Sequence, residues 1–243
     1  ESWSDEKLND EINTIRNAYQ SEVKGVLDAI NVRQDAAHNR LMQRLMQIKG
    51  AEARNISALN AAGKASAEQI AAIHAKADDE VRDLVKESIF NIILHSNLFN
   101  ISLKNSRVLD LYSGIGSFGI ECISRGSAKV TFVEKDKNAL NILSQNLEKM
   151  SIEEKAEVFP DEIKSFFGQI KTKNRFDIVF FDPPFADDKY KEYLKLVKKL
   201  KILNKKNLVI IHREKKSLES FENILKVLLS KNYGRSKVIF GVI

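Results

Sequence analysis

Apolar positions between residues 8 and 84 recur mostly at three- and four-residue steps, with no proline before Pro160. That spacing keeps one stripe of a helix apolar. The first stripe runs Leu8, Ile12, Ile15, Tyr19, Val26, Ile30, Ala37, Leu41, Leu45 and Ile48. Ser4 can cap it, Asp5 and Glu6 suit its first turn, and Lys49-Gly50 reads as its stop. A second stripe follows through Ile56, Leu59, Gly63, Ala67, Ile70, Ile73, Ala77, Val81 and Leu84. An antiparallel hairpin turning at Gly50 pairs residues whose numbers add to about 100. Leu41 then meets Leu59, Ala37 meets Gly63, Ile30 meets Ile70, Val26 meets Ile73 and Tyr19 meets Val81. The same register sets Leu8 near Ile92 and Trp3 near Ser96 and Asn97. Apart from Gly63, nothing breaks the second helix before His95, so it is expected to enter the next domain without a flexible linker. At about 1.5 Å per residue the arm should be roughly 60–70 Å long. His38 and His74 stand singly on polar faces and read as solvated.

From Arg107 the rhythm changes. Short apolar runs at Arg107–Asp110, Lys129–Glu134, Glu157–Phe159, Phe176–Asp182, Leu208–His212 and Lys237–Val242 read as strands. Helical spacing lies between them at Gly116–Ser124, Lys137–Lys149, Asp187–Leu200 and Leu218–Leu228, with a shorter helix at Glu162–Phe167. Alternation of this kind predicts a parallel sheet covered by helices on both faces. The chain therefore divides into a helical hairpin, residues 1–80, and an α/β domain, residues 81–243.

Composition narrows the picture. The 243 residues are 43% apolar, enough for a sizeable core. No apolar run approaches the roughly 18 residues of a membrane span, and the expected compartment is the cytoplasm. Glu1 in place of Met reads as a trimmed start. Cys122 is the only cysteine, so neither an intrachain disulfide nor a thiolate metal cluster can form. Residues 1–80 carry 10 basic and 13 acidic side chains; the remainder carry 29 and 20. The basic portion is the natural partner for a polyanion.

Three motifs carry chemistry. The strand Val108-Leu109-Asp110-Leu111 ends in a turn, Tyr112-Ser113-Gly114-Ile115-Gly116-Ser117-Phe118-Gly119, that opens a helix. Such a turn sits where open α/β sheets bind ligands, and its Gly114, Gly116 and Gly119 spacing also admits a dinucleotide. The second strand ends in Val133-Glu134-Lys135-Asp136, where a carboxylate can accept both hydroxyls of a ribose. Asp110, directly before the turn, would face a pyrophosphate unfavourably. It suits the cationic amino-acid end of S-adenosylmethionine. Asp161, after the third strand, falls where the adenine of that cofactor would lie, unless it only caps the following helix.

The third motif is Phe176-Asp177-Ile178-Val179-Phe180-Phe181-Asp182-Pro183-Pro184-Phe185. The two prolines stiffen the backbone so that Asp182 and a neighbouring carbonyl can point into a cleft. An aromatic amine is a weak nucleophile because its lone pair is delocalised. Hydrogen bonds from its N–H groups to Asp182 and a carbonyl bias the nitrogen toward a tetrahedral form, while Phe185 stacks on the base. No paired Cys and His and no clustered ligands call for nucleophilic catalysis or a metal.

Val85-Lys86-Glu87-Ser88-Ile89-Phe90-Asn91-Ile92, the three motifs, and Tyr233-Gly234 before the last strand together resemble the bacterial small-subunit ribosomal RNA guanine-N2 methyltransferase family over residues 84–243. The resemblance implies a Rossmann-like, seven-stranded S-adenosylmethionine-dependent methyltransferase sheet whose last strand is antiparallel, here preceded by a long helical hairpin. It implies guanine N2 as acceptor, in ribosomal RNA or the small ribosomal subunit. By similarity, Asp110, Tyr112, Ser113, Gly114, Gly116, Gly119, Glu134, Lys135, Asp161 and Asp182 would hold the cofactor. Asp182, Pro183, Pro184 and Phe185 would receive the base. Adenine N6 or another amino acceptor is the alternative within the same chemistry. The family begins with a short basic β-hairpin and an Arg-Pro-Thr segment, whereas Asp78-Asp79-Glu80-Val81-Arg82-Asp83 stands here. The front therefore reads as a replaced N-terminus or fusion, an acidic arm expected to repel RNA. It would serve as a spacer or a scaffold toward a partner that the sequence does not name.

Overall fold

The computed structural model describes residues 5–63, 65–96, 98–170, 175–217 and 220–243; within the first helix the side chains of 5–9, 11, 12, 19, 22, 23 and 25–34 are not described. Two long helices, α1 (Asp5–Ala61) and α2 (Ala67–His95), precede a seven-stranded sheet. Its strands are β1 (Arg107–Leu111), β2 (Lys129–Val133), β3 (Ala156–Phe159), β4 (Phe176–Phe181), β5 (Leu203–Glu214), β6 (Lys226–Tyr233) and β7 (Ser236–Val242). Helices α3 (Ser117–Ser124), α4 (Lys137–Lys149), α5 (Ile163–Gln169) and α6 (Tyr190–Lys199) alternate with the first five strands.

The hairpin forms, but its turn lies beyond Gly50. Helix α1 runs through Gly50 to Ala61, and α2 starts at Ala67. A glycine inside a helix costs only about 1 kcal/mol against alanine, too little to stop one that packing supports. The turn has stronger signals of its own: Gly63 at φ +62°, then Ser66, whose hydroxyl accepts from the Gln69 amide while the Gln69 side chain accepts from the Ser66 amide. That reciprocal pair is a capping box. The register moves accordingly. Glu52 meets His74 at 2.6 Å, Lys49 meets Asp78 at 3.4 Å, and Arg44 meets Glu87 at 2.8 Å. Leu41, Leu45 and Leu84 form the buried seam with Met42, Ile48 and Val81 packed on it. Leu41 and Leu59 thus share one helix instead of facing across two. Trp3, Ser4 and Asn97 fall outside the described residues, as does the side chain of Leu8. His38 is half-buried, not solvated: its ring meets Tyr233 edge-on at 5.6 Å, and its Nδ1 is enclosed without a partner. Burial foremost, with Lys231 nearby, lowers its pKa. His74 stays exposed.

Helix α2 is continuous from the arm into the sheet-packing layer, as its unbroken pattern predicted. Its inner half buries Val85, Ile89, Phe90 and Ile93 against one sheet face, together with α3 and α4; α5 and α6 cover the other. Alternate residues of β4 divide accordingly, Ile178 and Phe180 to the α2 side and Val179 and Phe181 to the α6 side. Both faces are apolar, as a parallel sheet covered twice requires. The strand order is β3-β2-β1-β4-β5-β7-β6, with β7 antiparallel to both neighbours.

One predicted helix is absent. Residues 220–225 form a turn and 226–233 are strand β6; residues 218 and 219 are outside the described set. Phe221, Ile224, Leu225 and Leu228 do fit helical spacing. Short apolar runs are ambiguous by period, and pairing with β7 through a two-residue turn at Gly234-Arg235 decides for strand. No helix among the described residues is long and apolar enough to cross a membrane.

Candidate active site

Strands β1, β2, β4 and β5 run parallel, so their carboxyl ends share one edge. The order reverses between β1 and β4, which opens a crevice there. The β1–α3 turn fills its floor. Tyr112 (φ +61°), Gly114 (φ +53°) and Gly116 (φ +84°) all take left-handed backbone. At Gly116 a Cβ would also stand 2.3 Å from Leu143 Cδ1, so only glycine fits on both counts. The turn folds inward through Ser113 N–H to the Val133 carbonyl (3.1 Å) and Gly116 N–H to the Ser113 carbonyl (2.8 Å).

Asp110 lies below this turn, 1% exposed, its Oδ2 accepting the Gly119 amide at 2.9 Å. The carboxyl satisfies one of the free N–H groups at the start of α3. Burial, with smaller pushes from Asp182 and Glu134, raises its pKa to about 8 against the pull of the Gly119 bond. The Ser113 hydroxyl beside it is enclosed with no partner. Tyr112 donates to Asp187 at 3.1 Å, and burial followed by that carboxylate pushes its phenol up.

Glu134 faces the turn from the end of β2. Its Oε2 accepts the Gly114 amide at 2.8 Å and its Oε1 accepts the Lys135 and Asp136 amides at 2.8 Å each. The carboxylate is thereby fixed toward the glycine turn. Lys135 itself is exposed and reaches Glu162 at 3.4 Å. Asp161, exposed, accepts the Glu162 amide at 2.6 Å just before α5.

Asp182 leaves β4 and is held by the imidazole of His212, Nδ1 to Oδ1, at 2.8 Å. The following turn is anchored from beneath by Arg213, 2% exposed, which donates to the carbonyls of Pro184 (3.1 Å) and Phe185 (2.9 Å) and lies over the Tyr190 ring at 4.5 Å. The Asp187 amide also ends on the Pro184 carbonyl, at 2.8 Å. The Pro184 and Phe185 carbonyls are thus occupied, and the Pro183 carbonyl takes no part in these contacts. Phe185, 39% exposed, presents its ring to solvent and its edge to His212 at 5.8 Å.

A cavity of about 730 Å³ joins these groups. Tyr112, Glu134, Lys135, Asp161, Asp182, Pro183, Pro184 and Phe185 line it; Asp110, Ser113, Gly114, Gly116 and Gly119 do not. The sequence did not single out His212, Arg213, Asp187 and Tyr193. The first two lie in a strand whose apolar run hid its polar end, since β5 continues to Glu214 and not to His212. Helix α1 contributes Leu45 and Lys49 to the lining, and α2 contributes Asp78, Val81 and Arg82. Chemically the cavity offers a half-exposed carboxylate beside an exposed aromatic ring, facing a second, immobilised carboxylate over a glycine turn.

Comparison with known proteins gives this arrangement a context. The family described as "Conserved hypothetical protein 95" matches residues 61–242. "Ribosomal RNA small subunit methyltransferase D" of Haemophilus influenzae is 34% identical over 134 residues, 55% of this chain and 66% of that relative, just under two thirds of its length. The protein of the same name from Buchnera aphidicola subsp. Baizongia pistaciae is 31% identical over 153 residues, 63% of this chain and 74% of its own. Among solved structures, a "conserved hypothetical protein" of Streptococcus pyogenes superposes with a TM-score of 0.57 at 29% identity, covering 65% of this chain and 94% of that one.

Proposed function

The chain belongs to the Conserved hypothetical protein 95 family, and from that premise we propose that it is an S-adenosylmethionine-dependent methyltransferase of ribosomal RNA whose acceptor is the N2 amino group of a guanine in the small subunit. The observation that carries the reading is Asp182, fixed at one oxygen and half exposed, opening into the cavity that Glu134 enters from the other side. The residues fit the cofactor. Glu134 is held in place by three backbone amides, with one lone pair, on Oε2, left to accept a ribose hydroxyl. The enclosed Ser113 hydroxyl has no partner, and the desolvated Asp110 carboxyl is a site that a neighbouring cation would relieve. Asp161 and Tyr112 also line the cavity.

When bound, S-adenosylmethionine supplies an electrophilic methyl group on a sulfonium. The chain's own residues act on the acceptor. Asp182 and the Pro183 carbonyl accept its two N–H bonds, which draws the amine lone pair out of conjugation. Phe185 stacks on the base and holds it in line. Asp182 takes the proton that the nitrogen sheds once methylated. Hydrogen bonds that strengthen as the nitrogen becomes tetrahedral favour the transition state over the bound substrate.

The division into an arm, residues 1–80, and a methyltransferase domain, residues 81–243, belongs to the same proposal. The arm restricts RNA access with its acidic surface, and its base walls the cavity through Leu45, Lys49 and Asp78. The test is radiolabelled methyl transfer from S-adenosylmethionine to small ribosomal subunits, followed by nucleoside digestion and mass analysis. N2-methylguanosine is the expected product. N6-methyladenosine would move the acceptor to adenine, and no incorporation into any RNA would overturn the reading.

A further inference from the structure

Phe181 pairs with Ile211 across the parallel β4–β5 ladder, so the next residues, Asp182 and His212, emerge side by side at the carboxyl edge. Their 2.8 Å contact joins unlike surroundings: the His212 side chain is 10% exposed, that of Asp182 43%. Phe185 closes over the imidazole edge-on. The other ring nitrogen, Nε2, is enclosed and has no hydrogen-bond partner. Nothing in β5's role as a sheet strand requires a histidine there.

We propose that His212 is a positioning residue: its Nδ1–H pins Oδ1 of Asp182 so that Oδ2 alone is presented to the acceptor amine. The inference rests on the methyltransferase reading above. A carboxylate offers only lone pairs, so the proton between the two groups belongs to Nδ1. A second proton on Nε2 would be enclosed without an acceptor, which disfavours it. The Nδ1–H tautomer therefore satisfies the Asp182 end and leaves only an unpaired acceptor at Nε2. A half-exposed aspartate is otherwise free to rotate and to offer either oxygen. One donor at Oδ1 removes that freedom before the base arrives, as preorganised hydrogen-bond networks do.

The proton balance follows. As the nitrogen–methyl bond forms and the sulfur–methyl bond breaks, the amine becomes a tetrahedral cation with one proton in excess. Asp182 Oδ2 receives that proton, and the proton on His212 Nδ1 stays where it is. His212 never touches the substrate.

Three measurements test this. In His212→Leu, kcat should fall about 10- to 100-fold, the worth of one hydrogen bond to a charged group. Affinity for S-adenosylhomocysteine, by calorimetry, should stay within about twofold of wild type. In His212→Asn the carboxamide N–H can replace Nδ1–H, and kcat should recover to within a few-fold of wild type. Long-range nitrogen–proton NMR of the imidazole, which needs no turnover, should show the Nδ1–H tautomer in wild type and its loss in Asp182→Ala. A wild-type protein that methylates no RNA would defeat the functional reading, yet the NMR arm would still decide the contact. An active His212→Leu, an Asn variant as poor as Leu, or an Nε2–H tautomer in wild type would overturn the role of His212.

Discussion

Gly119→Ala tests the close packing beneath the glycine turn. Gly119 lies within α3 without a positive φ, so alanine suits its backbone and would gain up to about 1 kcal/mol of helix propensity. Packing opposes this. A Cβ there would stand 2.3 Å from Phe132 Cε1, 2.7 Å from Phe132 Cζ and 2.8 Å from Val130 Cγ1. Phe132 and Val130 are both fully buried in β2, so neither can swing clear. Relief requires α3 to move off the sheet by about 1 Å. Overpacking of this kind costs roughly 1–3 kcal/mol. The same shift stretches the Gly119 amide away from Asp110, and a buried acceptor left without its donor costs roughly 1–3 kcal/mol more. The net expectation is a loss of roughly 1–5 kcal/mol, which lowers Tm by about 2–4 °C per kcal/mol in a protein of this size. Urea unfolding with matched m-values measures it. In a Phe132→Leu background the alanine should cost less, because two of the three close contacts are gone; a double-mutant cycle reports that coupling. Gly119→Ala within about 0.5 kcal/mol of wild type would refute the reasoning.

Further outcomes follow from the site. Glu134→Ala should weaken S-adenosylhomocysteine binding by about 1–3 kcal/mol through a lost charged hydrogen bond, read by calorimetry; unchanged affinity would remove Glu134 from the ribose site. Asp182→Ala should keep that affinity and lose most methyl transfer in single-turnover assays, and near-normal turnover would sink its role. The folded pKa of Asp110 is raised to about 8, above the ordinary value of 3.8, so the native state holds a proton that the unfolded chain releases. Its stabilising contribution is full below about pH 4 and is lost as pH rises toward about 8. Asp110→Asn should therefore gain stability relative to wild type between pH 5 and pH 8 in urea titrations; a constant difference across that range would contradict the shift. His38 has the opposite sign, since its pKa is lowered in the fold. Acidification through about 6.5 should loosen α1 from β6–β7, speeding limited proteolysis of the arm in wild type but not in His38→Phe.

Much of the sheet was legible because its strands are short, apolar and bounded by turns. The candidate site was legible as far as the structure gathers adjacent residues at one sheet edge, as with Asp110–Gly119 and Asp182–Phe185. The pair His212–Arg213 was not, because it meets Asp182 and the turn after it only when β5 pairs with β4, a contact across 30 residues that no local pattern encodes. Strand β6 departs from the sequence reading for a related reason: Phe221, Ile224, Leu225 and Leu228 fit helical spacing locally, and the hydrogen bonds to β7 decide for strand from Lys226. The turn of the hairpin was misplaced because Gly50 drew more weight than the capping pair Ser66 and Gln69. Apolar and small residues are dense enough along both helices for the wrong register to look complementary.

The unbroken course of α2 makes it a compass needle. Its outer turns belong to the hairpin and its inner turns are buried against the sheet, so the bearing of the tip at Gly63 is set by helical phase. Each residue added between the two halves would swing the tip by about 100° and advance it about 1.5 Å, whereas seven would restore nearly the original heading. Whatever the arm meets is therefore addressed by angle as well as by reach.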